Sequence, residues 1–397
     1  MRVPSFPNGS DRFGFNIIGF ATANLGLGVA LRNTAAILEQ AGFPFCVLDI
    51  DPGGNRTGHD TSTNRYAVQA GQALPYPVNI FFMNPPTVES LFRDLPDLVE
   101  TRGRFNVNIA FWELPNLPPT WKPVLETMDL VLAPSRFVQT AMEAVLADTP
   151  CLYYRQALPQ MPTALPDRSR WGFQPGRTVF LFSFDISSGV QKKNPLAILE
   201  AFKIAFPSGE ADLVFKINNR GMATEAGLVV DRLKAVALQV PGVRVFDQPM
   251  SHADVMSLYA STDVFVSLHR GEGLGLSLME CMALGKPVIA TGWSGNMDFM
   301  DDGNSCLVRY GLVPLDAGTQ YHAVSEGVPQ VWAEPNLDDA VVWMRRLAGS
   351  STLRNEIGMK AKAAIARLNA EAGQGRVFAE IRDRFLAGQA GCAPGGT

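Results

Sequence analysis

Along this chain, short runs of apolar residues about five to eight long alternate with longer stretches in which apolar positions recur every three or four residues. The first rhythm predicts strands and the second predicts helices. "FNIIGFA" reads as a strand, and "GVALRNTAAILEQAG", ending at Gly42, reads as a helix. "FCVLDID", "VNIFFMN", "FNVNIAFWE" and "LVLAPS" continue the strand series, and "RFVQTAMEAVL" follows as a helix. The rhythm breaks in "LPQMPTALPDRSRWGFQPGR" (158–177), where prolines and charges mark a linker. It then restarts with "TVFLFSFD", "NPLAILEAFKIAF", "ADLVFKINN", "ATEAGLVVDRLKAVALQ", "VRVFD", "HADVMSLYAST", "DVFVSLH", "LSLMECMALG" and "PVIATG".

Strands whose neighbours in sequence are helices build parallel sheets covered on both faces. The prediction is therefore an α/β protein with two Rossmann-like domains whose parallel sheets face an interdomain cleft. The N-terminal domain would span 1–157, the linker 158–177 and the C-terminal domain 178–372. A last helix, "QGRVFAEIRDRFL" (374–386), lies in the tail 373–397 with no strand after it, and its apolar face could pack back on the first domain. Residues 309–335 fit neither rhythm and predict a surface excursion, closed where Asn336, Asp338 and Asp339 open a further helix.

A length of 397 residues suits two cores rather than one. The composition, 47% hydrophobic and 18% charged, is that of a soluble globular protein. No stretch reaches the roughly 20 apolar residues of a membrane helix, and no signal-peptide layout surrounds the apolar stretch 13–31. The formal charge is −4, and neither half is basic, which argues against a nucleic-acid partner but is compatible with peripheral contact with a membrane. The five cysteines, Cys46, Cys151, Cys281, Cys306 and Cys392, form no C-x-x-C, and the four histidines show no ligand spacing. A disulfide framework and a zinc site are thus not expected, no metal or cofactor is called for, and a reducing cytoplasm is the simplest location.

Candidate chemistry concentrates in two glycine-rich turns. In "NLGLGVALRN", Gly26 and Gly28 stand between the first strand and its helix, where backbone N–H groups and the helix N-terminus can face an anion. A tight strand–helix turn explains the same glycines. The third glycine of a dinucleotide fingerprint is missing, and there is no G-x-x-x-x-G-K-[ST]. The second turn is "GEGLGLSLMECMALGKPVIATG" (271–292). Gly273 and Gly275 would shape a loop at a strand's carboxyl end, where open α/β sheets bind ligands. Leu276–Leu284 would form a helix closed by Gly285, with Glu272 before it and Glu280 about two turns further on. Carboxylates accept hydrogen bonds from sugar hydroxyls, and the amides of 273–275 could take phosphates. A ligand with hydroxyls at both ends and phosphates between them is a nucleotide-sugar. In the alternative reading, Glu272 is solvated and Glu280 pairs with a nearby Arg or Lys. The residues alone leave both open.

With "SLHRGEGLGLSLMECMALGKPVIAT", "FLFSFDISSGVQKKNPLAILEAF", "SGNMDFM" and "NLGLGV", the chain strongly resembles retaining glycosyltransferases of family 4, which have the GT-B fold and an E-x7-E motif. The resemblance covers most of 13–370 and is most specific over 180–308. It implies a nucleotide-sugar donor, UDP- or GDP-linked, held mainly by the C-terminal domain, and a glycan or lipid-linked saccharide acceptor on the N-terminal domain. It places Glu280 on the ribose hydroxyls, and Glu272 on the transferred sugar and its leaving diphosphate. The amides of Gly273, Leu274 and Gly275, and Lys193 with Lys192 second, would hold the phosphates. Solvated lysines at a helix start are the alternative for that pair. Arg270 would serve diphosphate or acceptor, and Ser294 and Asn296 would line the sugar pocket, although turn chemistry also accounts for Asn296. His269 should face the same side. Diphosphate departure needs preorganised donors rather than a protein nucleophile, and the resemblance implies front-face transfer with retention and without metal.

Two departures stand out. The region "IAFWELPNLP" (109–118) has Trp112 and Glu113 where many family members carry a histidine, so Glu113 either acts at the acceptor or sugar, or is a cap or ion-pair partner. Asp185 stands near where the family has an arginine. Two other readings share the fold: a nucleotide-sugar 2-epimerase and a non-catalytic nucleotide-sugar-binding scaffold. The expected role is hexose transfer in cell-surface polysaccharide or glycoconjugate synthesis, in the cytoplasm or at the inner face of the membrane.

Overall fold

A computed structural model describes residues 13–390 apart from 24, 54–59, 70–71, 95–100, 159–160, 162–164, 219–223, 316–317, 320–324 and 326. Cys392 lies outside the described residues, and the other four cysteines are free thiols. The chain divides into two units, one of residues 1–111, 117–160 and 369–397 and the other of 112–116 and 161–368.

The first unit is built on a parallel six-stranded sheet of β1 (Phe15–Gly19), β2 (Phe45–Asp49), β3 (Val78–Phe82), β4 (Phe105–Ile109), β5 (Leu130–Ala133) and β6 (Cys151–Tyr153), in the order β2-β1-β3-β4-β5-β6. Strands β1, β3 and β5 are buried along their whole length, as continuous apolar runs require. One polar row interrupts them. Asn16, Asn79 and Asn106 sit in register on β1, β3 and β4, Asn16 donating to Asn79 at 2.9 Å and Asn79 to Asn106 at 3.0 Å. A buried amide ladder of this kind penalises any one-residue slip, because a slipped strand would leave amides unpaired. The connecting helices are α1 (Gly26–Gln40), α2 (Pro85–Asp94), α3 (Trp121–Leu125) and α4 (Arg136–Glu143).

The second unit carries β7 (Val179–Asp185), β8 (Asp212–Asn218), β9 (Val243–Phe246), β10 (Val264–Ser267), β11 (Val288–Thr291) and β12 (Cys306–Val308) in a parallel sheet ordered β12-β11-β10-β7-β8-β9. Its helices are α5 (Val190–Lys193), α6 (Pro195–Ala205), α7 (Thr224–Ala237), α8 (His252–Ser261), α9 (Leu276–Ala283), α10 (Leu337–Gly349) and most of α11 (Ser351–Ala372). This is the doubly wound Rossmann order, in which β7 leads outward one way through β8 and β9 and β10 returns to its other side. The expected linker residues are tied into this unit by side chains. Arg168 pairs with Asp263 at 3.0 Å, and Arg177 pairs with Asp212 at 2.8 Å. The final helix α12 (Arg376–Ala390) belongs to the first unit, where the buried Phe378 ring meets Phe15, Phe43 and Tyr154.

The segment 309–335 corrects the expectation of an irregular excursion. Tyr310–Pro314 (β13) and Val331–Pro335 (β14) form an antiparallel hairpin off the main sheet. Its outer strand is largely exposed and only the return strand is buried, so the apolar signal is split and weak. Asn336 caps α10 by accepting from the Asp339 N–H at 3.0 Å.

Candidate functional site

In an open α/β sheet the ligand crevice lies beyond the carboxyl ends of the strands where the order reverses. In the second unit that point is between β7 and β10, which pair directly. From β7 the chain passes Asp185 and winds into the short helix α5, which carries Lys192 and Lys193. From β10 it runs through His269, Arg270 and Gly271 to Glu272. Lys193 and Glu272, 79 apart in sequence, are thereby set side by side.

The Lys193 ammonium makes a short ion-paired hydrogen bond to Glu272 Oε1. Lys192 is 1% exposed and pairs with Glu113 Oε1 at 2.7 Å. Glu272 is itself 7% exposed. Burial pushes its carboxyl upward, but Lys193, His269 and Lys192 outweigh that and hold it below the ordinary carboxylate value. It is therefore an ionised acid fixed among cations. Glu113 reaches this cluster because residues 112–116 pack with the second unit. A Cβ at Gly273 would lie 3.0 Å from the Trp112 carbonyl oxygen, and one at Gly271 would run into that of Glu113, so both glycines are required by this close approach.

The acid turn is pinned from behind. Glu272 N–H donates to Ser294 Oγ at 2.8 Å, and Gly295 N–H donates to the Glu272 carbonyl at 2.9 Å. Ser294 has a positive φ of 78°, an uncommon backbone for a residue with a side chain. Asn296 is fully buried, with Nδ2 donating to the Thr291 carbonyl at 3.1 Å and Oδ1 3.1 Å from His269 Nε2. In this structure Ser294 and Asn296 thus brace the turn. His269, expected to face a ligand, is fully buried instead. Its Nε2–H has only acceptors around it, Asn296 Oδ1 and the Trp293 carbonyl, so Nδ1 accepts from the Ser267 hydroxyl at 3.0 Å. Burial lowers its pKa despite Glu272 and keeps the ring neutral. Arg270 likewise points into the protein. Its guanidinium makes a bidentate pair with Glu334 at 2.6 and 3.1 Å and donates to the Gln191 carbonyl at 2.9 Å.

Gly275 opens α9 with φ of 99° and no side-chain cap, and among the described residues the Leu274 and Gly275 amides meet no acceptor. These N–H groups and the start of α9 form a receptive surface for anionic oxygen. Glu280 sits inside α9, 7% exposed, with Oε1 3.4 Å from His252 Nε2. His252, at the start of α8, is absent from the sequence-based candidates because nothing near it in sequence signals a partner on another helix.

A second residue escaped notice because it sits in an apolar run. Lys216 on β8 is completely buried and donates to the Ile217 carbonyl at 3.0 Å, Asn218 Oδ1 at 2.6 Å and the Gln248 carbonyl at 3.4 Å. Burial lowers its pKa to about 8, against the pull of Asp185 and Asp247. An unfolded chain would hold that proton up to the ordinary lysine value, so folding releases it between about pH 8 and 10.5. Stability is penalised throughout below pH 8 and recovers as pH rises through that window, by at most about 1.4 kcal/mol per pH unit. Urea unfolding of wild type and Lys216→Met at pH 7.5 and 10 should show the wild type gaining relative to the variant, whereas equal changes would contradict the depressed pKa.

In the first unit the order reverses between β1 and β3, and Gly26 and Gly28 lie there, inside the first turn of α1 rather than in a loop before it. Gly28 has a packing reason, since a Cβ would lie 2.6 Å from the carbonyl oxygens of both Phe20 and Ala23. No side chain caps α1. Asp49, at the end of β2, accepts from the Thr22 hydroxyl at 2.6 Å and the Thr22 N–H at 3.2 Å. Among the described residues no group of three His, Cys, Asp or Glu could hold a metal ion, and no helix is long and apolar enough to cross a membrane.

Residues 186–319 match a family described as glycosyl transferases group 1. No curated protein matches the chain. Among solved structures, sucrose-phosphate synthase from Thermosynechococcus elongatus is similar at 14% identity and a TM-score of 0.68, covering 95% of this chain and 100% of that one. A glycosyltransferase from Rickettsia africae is similar at 13% identity and 0.65, covering 94% and 99%. Anabaena HepE, in complex with UDP and glucose, is similar at 14% identity and 0.57, covering 92% and 100%. The fold is α/β with two parallel six-stranded sheets, as in the GT-B glycosyltransferases.

Proposed function

We propose that this protein is a glycosyltransferase that moves a hexose from a UDP- or GDP-linked donor to a glycan or lipid-linked saccharide, with retention at the sugar carbon and without a metal. The observation that carries the reading is the ionised, cation-bound Glu272 at the β7/β10 switch point, next to uncapped amides and eight residues before Glu280. Transfer expels a nucleoside diphosphate, so the donor site must hold negative charge at the phosphates and hydroxyls on either side of them. Lys193, with Lys192 behind it, supplies the cationic side, and the amides of Leu274 and Gly275 with the start of α9 supply dipoles suited to phosphate oxygens. Glu280 is suited to accept from ribose hydroxyls. Glu272 is suited to accept from the sugar and to keep Lys193 oriented until a phosphate competes for it. Glu113, paired to Lys192, would orient the sugar or the acceptor hydroxyl. The first unit is proposed to take the acceptor.

The UDP and glucose bound by the Anabaena protein favour a UDP-hexose, and the group 1 match favours transfer over isomerisation or passive binding. A polysaccharide or glycoconjugate acceptor at the inner membrane face is the proposed setting.

A panel of UDP-, GDP-, ADP- and dTDP-sugars tests the donor directly. A true donor at a hundredfold excess over its Kd should stabilise the protein by about 2.7 kcal/mol, read as a rise in Tm. Anomeric configuration of the product then tests retention. If none of the sugars shifts Tm, the donor assignment fails.

A further inference from the structure

We infer that Arg270 and the hairpin β13–β14 form a brace that sets the geometry of the two lysines and two acids, so that Arg270 is a positioning residue rather than a ligand of the donor; this rests on the donor-site reading above.

Five contacts leave Arg270, two residues before Glu272. Its N–H donates to the Lys192 carbonyl at 2.8 Å, and its guanidinium donates to the Gln191 carbonyl at 2.9 Å. Together these fasten the lysine turn α5 to the strand exit that leads to Glu272. On the other side, its carbonyl accepts from the Ala333 N–H at 3.0 Å, and the guanidinium pairs in bidentate fashion with Glu334 and lies 4.9 Å over the Trp332 ring. Three consecutive residues of β14 therefore hold one arginine. A planar guanidinium with its fork taken by a carboxylate, a third N–H taken by the Gln191 carbonyl and one face taken by an indole is a fixed strut.

The same strand reaches the second acid. Just before β14, Gln330 exchanges hydrogen bonds with Asn116, its Oε1 accepting from the Asn116 N–H at 3.2 Å and its Nε2 donating to the Asn116 carbonyl at 2.6 Å. Asn116 Nδ2 donates to the Pro329 carbonyl at 2.8 Å, and the Trp112 indole N–H donates to the Asn116 carbonyl at 2.8 Å. The segment bearing Glu113 is thus clipped to the hairpin at one end and laid against Gly271 and Gly273 at the other. One hairpin fixes the partners of both Lys192 and Lys193. Such bracing serves catalysis where a shift of about 1 Å in a charged group costs orders of magnitude in rate.

The test uses Glu334→Gln, Arg270→Lys and the double variant in the full chain. Glu334 is on the hairpin and half exposed, so its neutral variant should fold. Turnover is measured with UDP-glucose and GDP-mannose, Kd with UDP and GDP, and backbone amide exchange at Arg270 and Ala333 without any ligand. Each single variant should lower turnover about tenfold, the double should be no slower than the worse single, and Kd should stay within about twofold. Exchange at both amides should be faster in Glu334→Gln. If Arg270→Lys weakens UDP or GDP binding tenfold or more while Glu334→Gln changes nothing, Arg270 is a donor ligand and the proposal is overturned. Unchanged exchange in Glu334→Gln overturns it as well. A wild type that neither binds nor turns over these nucleotides sinks the donor-site reading instead, and the exchange result still decides whether the brace exists.

Discussion

Glu272→Gln is expected to lower sugar transfer by about two to three orders of magnitude while leaving UDP or GDP affinity nearly intact. Glutamine keeps the shape but removes the charge that Lys193 meets in its short ion pair. Losing one preorganised charged contact at the reacting centre typically costs about 10²–10³ in turnover. Nucleoside binding should survive, because Glu280 lies two helical turns away in α9 and has its own neighbour in His252. The variant should also unfold more easily, because Lys193 keeps its partly buried setting and loses its partner. The depressed pKa adds a pH test. Burial raises this carboxyl and its basic neighbours, Lys193 foremost, lower it further, so the stability it contributes is present above the unfolded value and lost only as pH falls through the lower folded value. Activity in wild type should therefore show no acid limb from Glu272 within the ordinary carboxylate range. A Glu272→Gln enzyme that turns over at the wild-type rate would remove this residue from the chemistry.

Much of the architecture was legible because a parallel sheet covered on both faces needs predominantly apolar runs, and β1, β3, β5, β7, β10 and β11 have them. Strands of three residues leave no such record, and β6 and β12 went unread. The hairpin went unread for a different reason: it earns little burial on its outer strand and depends on Arg270, some sixty residues away in sequence, for its main polar contact. Within the site, residues were legible and partnerships were not. Glycine spacing marked the acid turn, since Gly271 and Gly273 leave room for backbone and Gly275 needs φ of 99°. The pairing of Lys192 with Glu113 depends on a five-residue segment packing with the second unit, which no local pattern announces. Arg270 and His269 looked like outward-facing site residues because polar side chains after a strand usually are, yet both are consumed by partners distant in sequence.

Gly295→Ala should combine loss of stability with loss of turnover, and the reason is purely steric. Gly295 is not among the residues with positive φ, so alanine can adopt its backbone conformation. The added Cβ would nevertheless lie 2.5 Å from the Gly273 carbonyl carbon and 2.8 Å from Leu274 N, and closer still to the Gly273 oxygen. Those atoms are backbone, held by Glu272 N–H to Ser294 and Gly295 N–H to the Glu272 carbonyl, so no side chain can swing aside to make room. Overpacking against a rigid neighbour costs about 1–3 kcal/mol, and this contact belongs at the upper end. The turn that must yield carries the 273–275 amides and Glu272. A displacement of about 1 Å there should reduce transfer by roughly a hundredfold, in a variant that still folds at low temperature. Gly311→Ala is the control, since a Cβ at Gly311 meets nothing within 4 Å and φ there is not positive. Measured together by Tm and by transfer rate, Gly311→Ala should match wild type and Gly295→Ala should fall in both. If Gly295→Ala lost stability alone and kept its rate, the 272–275 turn would tolerate movement that a preorganised phosphate cradle cannot.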